Sequence, residues 1–210
     1  MTNHAPPAES PFVSDIADQD SERIDLESDC YSKESKARHI SRYQWAARKL
    51  KERFFRAGRI IDFACGTGYG SAILSEAAHE VYGRDKDEKA IQIADQRYSS
   101  TLVNFKVRDK IQRHLGDTTM FDAVVSIETI EHLENPGQFL QACKDLIIPY
   151  GMLIISTPLK SPDGRLRSRF HLKEYTKPEI GEMVRSYGFY GLDYDDFLPG
   201  FICMTARRSK

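Results

Sequence analysis

The chain has 210 residues, 40% hydrophobic and 29% charged, with a formal net charge of −1. That length suits one domain whose core needs no disulfide or zinc staple, and the near-neutral charge argues against a general nucleic-acid binder. Four cysteines without a Cys-x-x-Cys pair, no apolar run near the ~18 residues of a membrane span, and no basic or apolar leader at the start give the expectation of a reduced, cytoplasmic protein without a membrane partner.

Residues 1–35 hold nine Asp/Glu against two Lys/Arg, which leaves a net +6 on the remainder. Acidic, proline-containing and poor in aliphatics, residues 1–34 read as a flexible segment, with 35–210 as the folded domain. Ile40, Tyr43, Ala47, Leu50 and Phe54 recur at alternating steps of three and four, the stripe of an amphipathic helix. Arg59–Ala64 is a short strand running into the glycine cluster Cys65–Gly70, and Ser71–Ala78 reads as helix. A second strand from Glu80 ends at Asp85, followed by a helix over Glu88–Tyr98 and a third strand over Leu102–Val107. Phe121–Ile127 is nearly all apolar, as parallel strands buried on both faces are. Asn135-Pro136 opens a helix to Leu146, and Gly151–Thr157 is a fifth strand. Thr176-Lys-Pro-Glu179 is a capping box for a helix ending at Gly188. Phe189–Phe197 and Phe201–Arg207 flank Pro199-Gly200 and read as a hairpin. Strands alternating with helices predict an α/β, Rossmann-like doubly wound sheet of seven strands, mostly parallel with a C-terminal antiparallel hairpin.

The strongest chemical signal is Ile60-Ile-Asp-Phe-Ala-Cys-Gly-Thr-Gly-Tyr-Gly70. A strand turning through glycines into a helix lets backbone N–H groups approach a ligand closely, and a Cβ at Gly68 is expected to fill the space where backbone meets ligand. Gly66, Gly68 and Gly70 form G-x-G-x-G rather than the dinucleotide G-x-G-x-x-G, and no clear Tyr-x-x-x-Lys pair accompanies them, which speaks against a nicotinamide oxidoreductase. Asp85 closes the next strand, where a carboxylate accepts hydrogen bonds from two ribose hydroxyls. The bland alternative is a tight turn and a helix cap.

Taken together, these motifs resemble class I S-adenosylmethionine-dependent methyltransferases. Asp62-Phe-Ala-Cys-Gly-Thr-Gly matches the first motif of that family and Asp85 the second. Asp109 matches the acidic position after the third strand, Phe121-Asp-Ala-Val-Val-Ser the fourth-strand motif, and Gly151-Met-Leu-Ile-Ile-Ser-Thr-Pro158 the fifth. The resemblance implies S-adenosyl-L-methionine as cofactor, with Gly66 and Gly68 beneath its methionine part, Asp85 at the ribose and Asp109 at the adenine amino group; Asp62, Ala64, Lys86 and Ile127 are further cofactor-binding candidates. His39-Ile-Ser-Arg42-Tyr43 resembles a cofactor-covering segment of a subgroup found in polysaccharide and secondary-metabolite clusters, which adds Tyr43. Tyr43 also sits on the apolar stripe, so packing is its competing role.

Two further stretches lie at the carboxyl edge of the sheet, where open α/β folds place ligands. In Glu128-Thr-Ile-Glu131-His132, a helical turn would put both carboxylates and the imidazole on one face. Three roles compete: a general base at His132, a divalent-metal site, or positioning of the loop. This E-x-x-E-H pattern resembles quinone-pathway O-methyltransferases, some of which bind a cation. No metal is expected here. Lys160–Tyr175 carries Arg165, Arg167, Arg169 and His171, and suits an anionic acceptor. His171 is favoured as base because flanking cations favour neutral imidazole, with His132 and Glu128 as the other catalytic candidates. The expected activity is O-methylation of a small polar acceptor, such as a sugar, nucleotide-linked sugar or natural-product hydroxyl. The alternatives are a cation-using quinone-pathway-like enzyme or an N-methyltransferase.

Overall fold

The computed structural model describes residues 24–107 and 120–210. Its elements run α1 (Lys33–Phe54), β1 (Ala57–Phe63), α2 (Tyr69–Leu74), β2 (Ala78–Asp85), α3 (Glu88–Tyr98), β3 (Val103–Val107), β4 (Phe121–Ile127), α4 (Pro136–Leu146), β5 (Ile147–Pro158), α5 (Lys177–Ser186), β6 (Phe189–Tyr194) and β7 (Phe201–Arg208), with a 3₁₀ turn at Ile130–His132. The strand order is β3-β2-β1-β4-β5-β7-β6. The pairs from β3 through β5 are parallel, whereas β7 runs antiparallel to both β5 and β6. This is the doubly wound sheet with a terminal hairpin that the sequence predicts.

Period-two alternation splits the core between the two sheet faces. Ile60, Ala123, Val125, Met152 and Ile154 pack under α1–α3. Ile61, Val124, Leu153 and Ile155 pack under α4 and α5. Chain order reverses between β1 and β4, so the carboxyl ends of these strands form the crevice that open α/β sheets use for ligands.

Local chemistry sets the boundaries. Ser32 caps α1 by accepting from Ser35 N–H, Asp87 caps α3 and Asn135 caps α4. Thr176 and Glu179 make the reciprocal capping box of α5. α2 stops at Leu74 rather than Ala78, because Ala78 already pairs with Ala57 in the sheet. β5 begins earlier than Gly151, directly after α4. Its register shifts opposite Phe121/Ala123, and Tyr150 takes a left-handed φ of 64°.

The described part of the acidic segment, from Ile24, lies against the domain. Ile24 and Tyr31 are buried in the core, the Thr67 hydroxyl donates to the Ile24 carbonyl at 3.1 Å, and Arg97 pairs with Asp25 and Glu27. Two apolar anchors and one arginine hold residues 24–32 on the domain. Among the described residues no helix is long and apolar enough to cross a membrane, and all four cysteines are free thiols.

Candidate active site

The glycine turn sits between β1 and α2, and its geometry is built from buried polar contacts. Ala64 (φ 60°), Gly66 (φ 55°) and Gly68 (φ 89°) all take positive φ, which folds the backbone back on itself. Asp85 holds the turn from the next strand: its Oδ2 accepts from Gly66 N–H at 3.0 Å and its Oδ1 from Asp87 N–H at 2.9 Å. Both the ligand-binding and the turn-holding readings of Asp85 therefore place it at this spot. Lys86 beside it is exposed, and Ile127 at the end of β4 is buried. Asp109 lies outside the described residues.

Asp62 lies beneath the turn, fully buried. Its carboxylate accepts from Ser71 Oγ at 2.6 Å and from the Tyr43 hydroxyl at 3.3 Å. Burial, with the Asp85 charge adding to it, overcomes those two hydrogen bonds and raises Asp62 to a pKa of about 7. Tyr43 is 4% exposed, stacks edge-on against Tyr69, and lies where a Cβ on Gly70 would be. It ties α1 to the floor of the turn.

Gly68 corrects one expectation. A Cβ there would meet Ala94 Cβ at 2.6 Å and Phe105 Cζ at 2.9 Å. It points at the packing between α3 and β3, so the glycine is needed for its φ and for the close approach of the turn to the core.

The stretch after β4 is not a single helical face. Glu128 has a left-handed φ of 54°, and only Ile130–His132 turns helically. Glu128 faces Arg42, with Oε2 3.7 Å from Nη2. Glu131 and His132 instead meet His171, whose loop folds back over them. Leu172 and Lys173 N–H groups donate to the Glu131 carbonyl, at 2.8 and 3.2 Å. The His132 and His171 rings are edge-to-face with centroids 4.9 Å apart.

Hydrogen bonds define the histidine tautomers. His132 Nδ1 is 3.0 Å from the Phe170 carbonyl, which can only accept. His171 Nδ1 is 2.7 Å from Oε1 of buried Glu174, which also accepts from Arg167 N–H at 2.7 Å. Both Nδ1 atoms therefore carry hydrogen, and in each neutral ring the lone pair is on Nε2. Glu131 is completely buried: Oε2 accepts from Thr157 Oγ1 at 2.9 Å, and Oε1 has no hydrogen-bond partner among the described residues. Burial, then the Glu128 charge, pushes its carboxyl well above the usual carboxylate range.

This changes the ground for favouring His171. Arg165 is exposed and pairs with Asp163, Arg167 donates to the Leu159 carbonyl and lies over Phe201, and Arg169 lies over Phe170. A carboxylate, Glu174, meets His171 Nδ1 directly at 2.7 Å. Sequence reading missed Glu174, which the i+3 spacing from His171 signals. It also missed Arg42 as a site residue, although Arg42 shares the buried face of α1 with Tyr43 and Ala46.

An open, mainly parallel sheet with a glycine turn after β1, an acidic residue closing β2, and loops from β4 and β5 meeting at its carboxyl edge has the build of a nucleoside-cofactor-binding α/β domain. Residues 37–192 match the family model described as a methyltransferase domain. The chain belongs to that family and is a class I S-adenosylmethionine-dependent methyltransferase domain. It is 32% identical over 139 residues to a probable S-adenosylmethionine-dependent methyltransferase of Mycolicibacterium smegmatis, covering 63% of this chain and 52% of that protein. It is 32% identical over 105 residues to a ubiquinone biosynthesis O-methyltransferase of Glaesserella parasuis, covering 47% of this chain and 44% of that one. The chain thus spans about half the length of these curated relatives. In fold it is similar to magnesium protoporphyrin IX methyltransferase from Synechocystis with bound SAH, at TM-score 0.66, 20% identity, and coverage of 83% of this chain and 85% of that one. S-adenosyl-L-methionine is the family's cofactor, and the backbone turn at Gly66 with Asp85 beside it fits such a nucleoside ligand.

Proposed function

We propose that this domain methylates a hydroxyl oxygen of a small polar acceptor, such as a sugar, a nucleotide-linked sugar or a natural-product hydroxyl. The observation that carries the reading is the His171–Glu174 dyad set edge-on to His132 at the sheet's carboxyl edge. Bound S-adenosylmethionine supplies an already activated sulfonium methyl. What remains for the chain is alignment of the acceptor and removal of one proton. Glu174 fixes the His171 tautomer and stabilises the imidazolium formed when Nε2 takes that proton. His132 limits the tilt of the ring, and the glycine turn with Asp85 supplies cofactor affinity. The basic loop after β5 favours an acceptor carrying negative charge, and four free thiols suit a reducing cytoplasm.

A second reading rests on its own observation. Glu131, His132 and His171 each bring a ligand atom within 4.8 Å of the others, and one carboxylate with two imidazoles is a donor set for a divalent ion. This favours a quinone-pathway-like O-methyltransferase, in line with the printed name of the Glaesserella parasuis relative.

A labelled-methyl screen against sugars, nucleotide-linked sugars, phenols and amines, with mass spectrometry of the products, tests the first reading. Label on a hydroxyl oxygen without added metal supports it. Label on nitrogen, or transfer to phenols only with a divalent ion present, overturns it.

A further inference from the structure

The loop after β5 carries the dyad, and it is closed at its base. Leu159 bridges to Tyr175, Lys160 N–H donates to the Tyr175 carbonyl at 2.9 Å, and Leu159 N–H donates to the Gly200 carbonyl at 2.9 Å. Between these ends the chain turns outward. Every residue from Pro162 to Leu166 is exposed, and Arg167 is the first to turn back towards the domain. Its Nη2 donates to the Leu159 carbonyl at 3.2 Å, which ties the middle of the loop to its own base. Its guanidinium carbon lies 5.5 Å from the centre of the Phe201 ring, at the start of β7. Gly200 leaves the room for it, since a Cβ there would meet Arg167 Nη1 at 2.8 Å and Nη2 at 3.0 Å.

The backbone of the same residue faces the dyad. Arg167 N–H donates to Glu174 Oε1 at 2.7 Å, the oxygen that His171 Nδ1 also meets at 2.7 Å. Glu174 is 2% exposed, and its Oε2 has no hydrogen-bond partner among the described residues. A buried carboxylate held by so few donors depends on where each of them stands. One of the two belongs to the ring that is being oriented. The other, the Arg167 N–H, is therefore the fixed point from which Glu174 is aimed at His171.

We propose that Arg167 is a positioning residue for proton removal: its guanidinium, tied to the Leu159 carbonyl and laid on Phe201, sets the backbone N–H that aims Glu174 at His171. The inference rests on the His171–Glu174 dyad being the proton-accepting unit, and deepens that reading by naming what holds the dyad in place. Arg167 then serves the dyad rather than the charge of the acceptor. Arginine suits this work because a planar guanidinium lies on a ring and donates in its own plane at once, whereas the lysine ammonium is a compact point charge.

The test reads the tautomer of His171, which needs no methyl acceptor. The full chain, with isotope-labelled histidine, is saturated with S-adenosylhomocysteine in metal-free buffer at alkaline pH, where imidazole is neutral. Long-range proton–nitrogen NMR then resolves the two ring nitrogens, and His171→Asn identifies the signals. In the unaltered protein the Nδ1–H form should exceed the Nε2–H form by about 10- to 150-fold, the range for one hydrogen bond to a charged group. Arg167→Met should lower that ratio by about 3- to 30-fold, the coupling expected within one hydrogen-bonded network. Arg167→Lys should recover only part of the loss. Phe201→Leu, which leaves Arg167 in place, should lower the ratio in the same direction. With an acceptor from the labelled-methyl screen, Arg167→Met should lower kcat while the acceptor KM stays within about twofold.

An Arg167→Met protein that melts at a lower temperature but keeps the parent's tautomer ratio overturns the proposal and makes Arg167 a packing residue. A raised acceptor KM with unchanged kcat and an unchanged ratio overturns it in favour of an anion-binding arginine. Should Arg167→Met fail to fold, Arg167→Lys and Phe201→Leu decide by the same ratio. Glu174→Gln separates the proposal from the reading beneath it. A ratio that survives Glu174→Gln, or an unaltered protein with its hydrogen on His171 Nε2, refutes the dyad itself. A ratio lost in Glu174→Gln but kept in every Arg167 and Phe201 variant refutes the positioning role alone.

Discussion

Replacing Gly68 by alanine separates two explanations of the glycine turn. At φ 89° an L residue pays a left-handed penalty of about 1–2 kcal/mol. The new Cβ would lie 2.6 Å from Ala94 Cβ and 2.9 Å from Phe105 Cζ, so α3 or β3 must yield. Overpacking of this kind costs about 1–3 kcal/mol. Together the two effects give about 2–5 kcal/mol, or roughly 4–20 °C in Tm for a chain of this size. The assay is thermal and urea denaturation of Gly68→Ala, Ala94→Gly and the double variant. Removing the Ala94 methyl should relieve the contact, so the double variant should be about 1–2 kcal/mol more stable than the sum of the single changes predicts. S-adenosylhomocysteine binding, measured well below the lowered Tm, should persist. A Gly68→Ala that melts within about 2 °C of the parent but no longer binds would refute this account. It would show that the Cβ aims at the ligand, as the motif alone suggests.

Other outcomes follow from the site. Asp62, raised to about pH 7 by burial, keeps a proton in the native state that the unfolded chain releases near pH 4. Between those values the native state binds more protons, so this group lowers stability as pH rises. Asp62→Asn should gain stability relative to the parent between pH 4 and 8, by up to about 4 kcal/mol, and a pH-independent difference in urea melts would contradict it. His171→Ala should lower kcat by about 10²–10⁴ with cofactor affinity little changed, and His132→Ala should cost less; reversed kinetics would exchange their roles. Glu174→Gln should shift the acidic limb of the kcat profile downwards, because the imidazolium loses its carboxylate, and an unmoved limb would leave Glu174 a purely structural role. Activity should survive exhaustive EDTA treatment; loss restored by a divalent ion would move the Glu131–His132–His171 reading ahead.

The frame of this domain was legible because its signals are local. Period-two apolar runs, the capping box at Thr176 and the glycine turn each depend on a few neighbouring residues. The site was legible only where it follows strand ends, as at Gly66 and Asp85. Glu128 was misplaced because a left-handed residue after β4 breaks the helical spacing on which its grouping with Glu131 and His132 relied. The direction of the Gly68 Cβ depends on Ala94 and Phe105, two elements away, and a motif carries no such information. Arg42 looked like one more polar residue on an amphipathic helix, since burial of a guanidinium is decided by what the sheet and β7 place over it.

The last strand also has a consequence for how the chain is made. β7 inserts between β5 and β6, although it is synthesised after both. Trp45 bonds to Asp195, 150 positions later, stacks on Phe197, and its neighbour Arg42 rests on Phe201. On the ribosome, these particular contacts of α1 therefore wait for residues 195–201, whereas its packing on β1, α2 and β4 can form earlier. Throughout that time β5 offers an apolar, unpaired edge to any other nascent strand. Chains stopped before residue 201 should bind chaperones or aggregate rather than populate a smaller folded domain, because native pairing of β5 is completed only from the far end of the sequence.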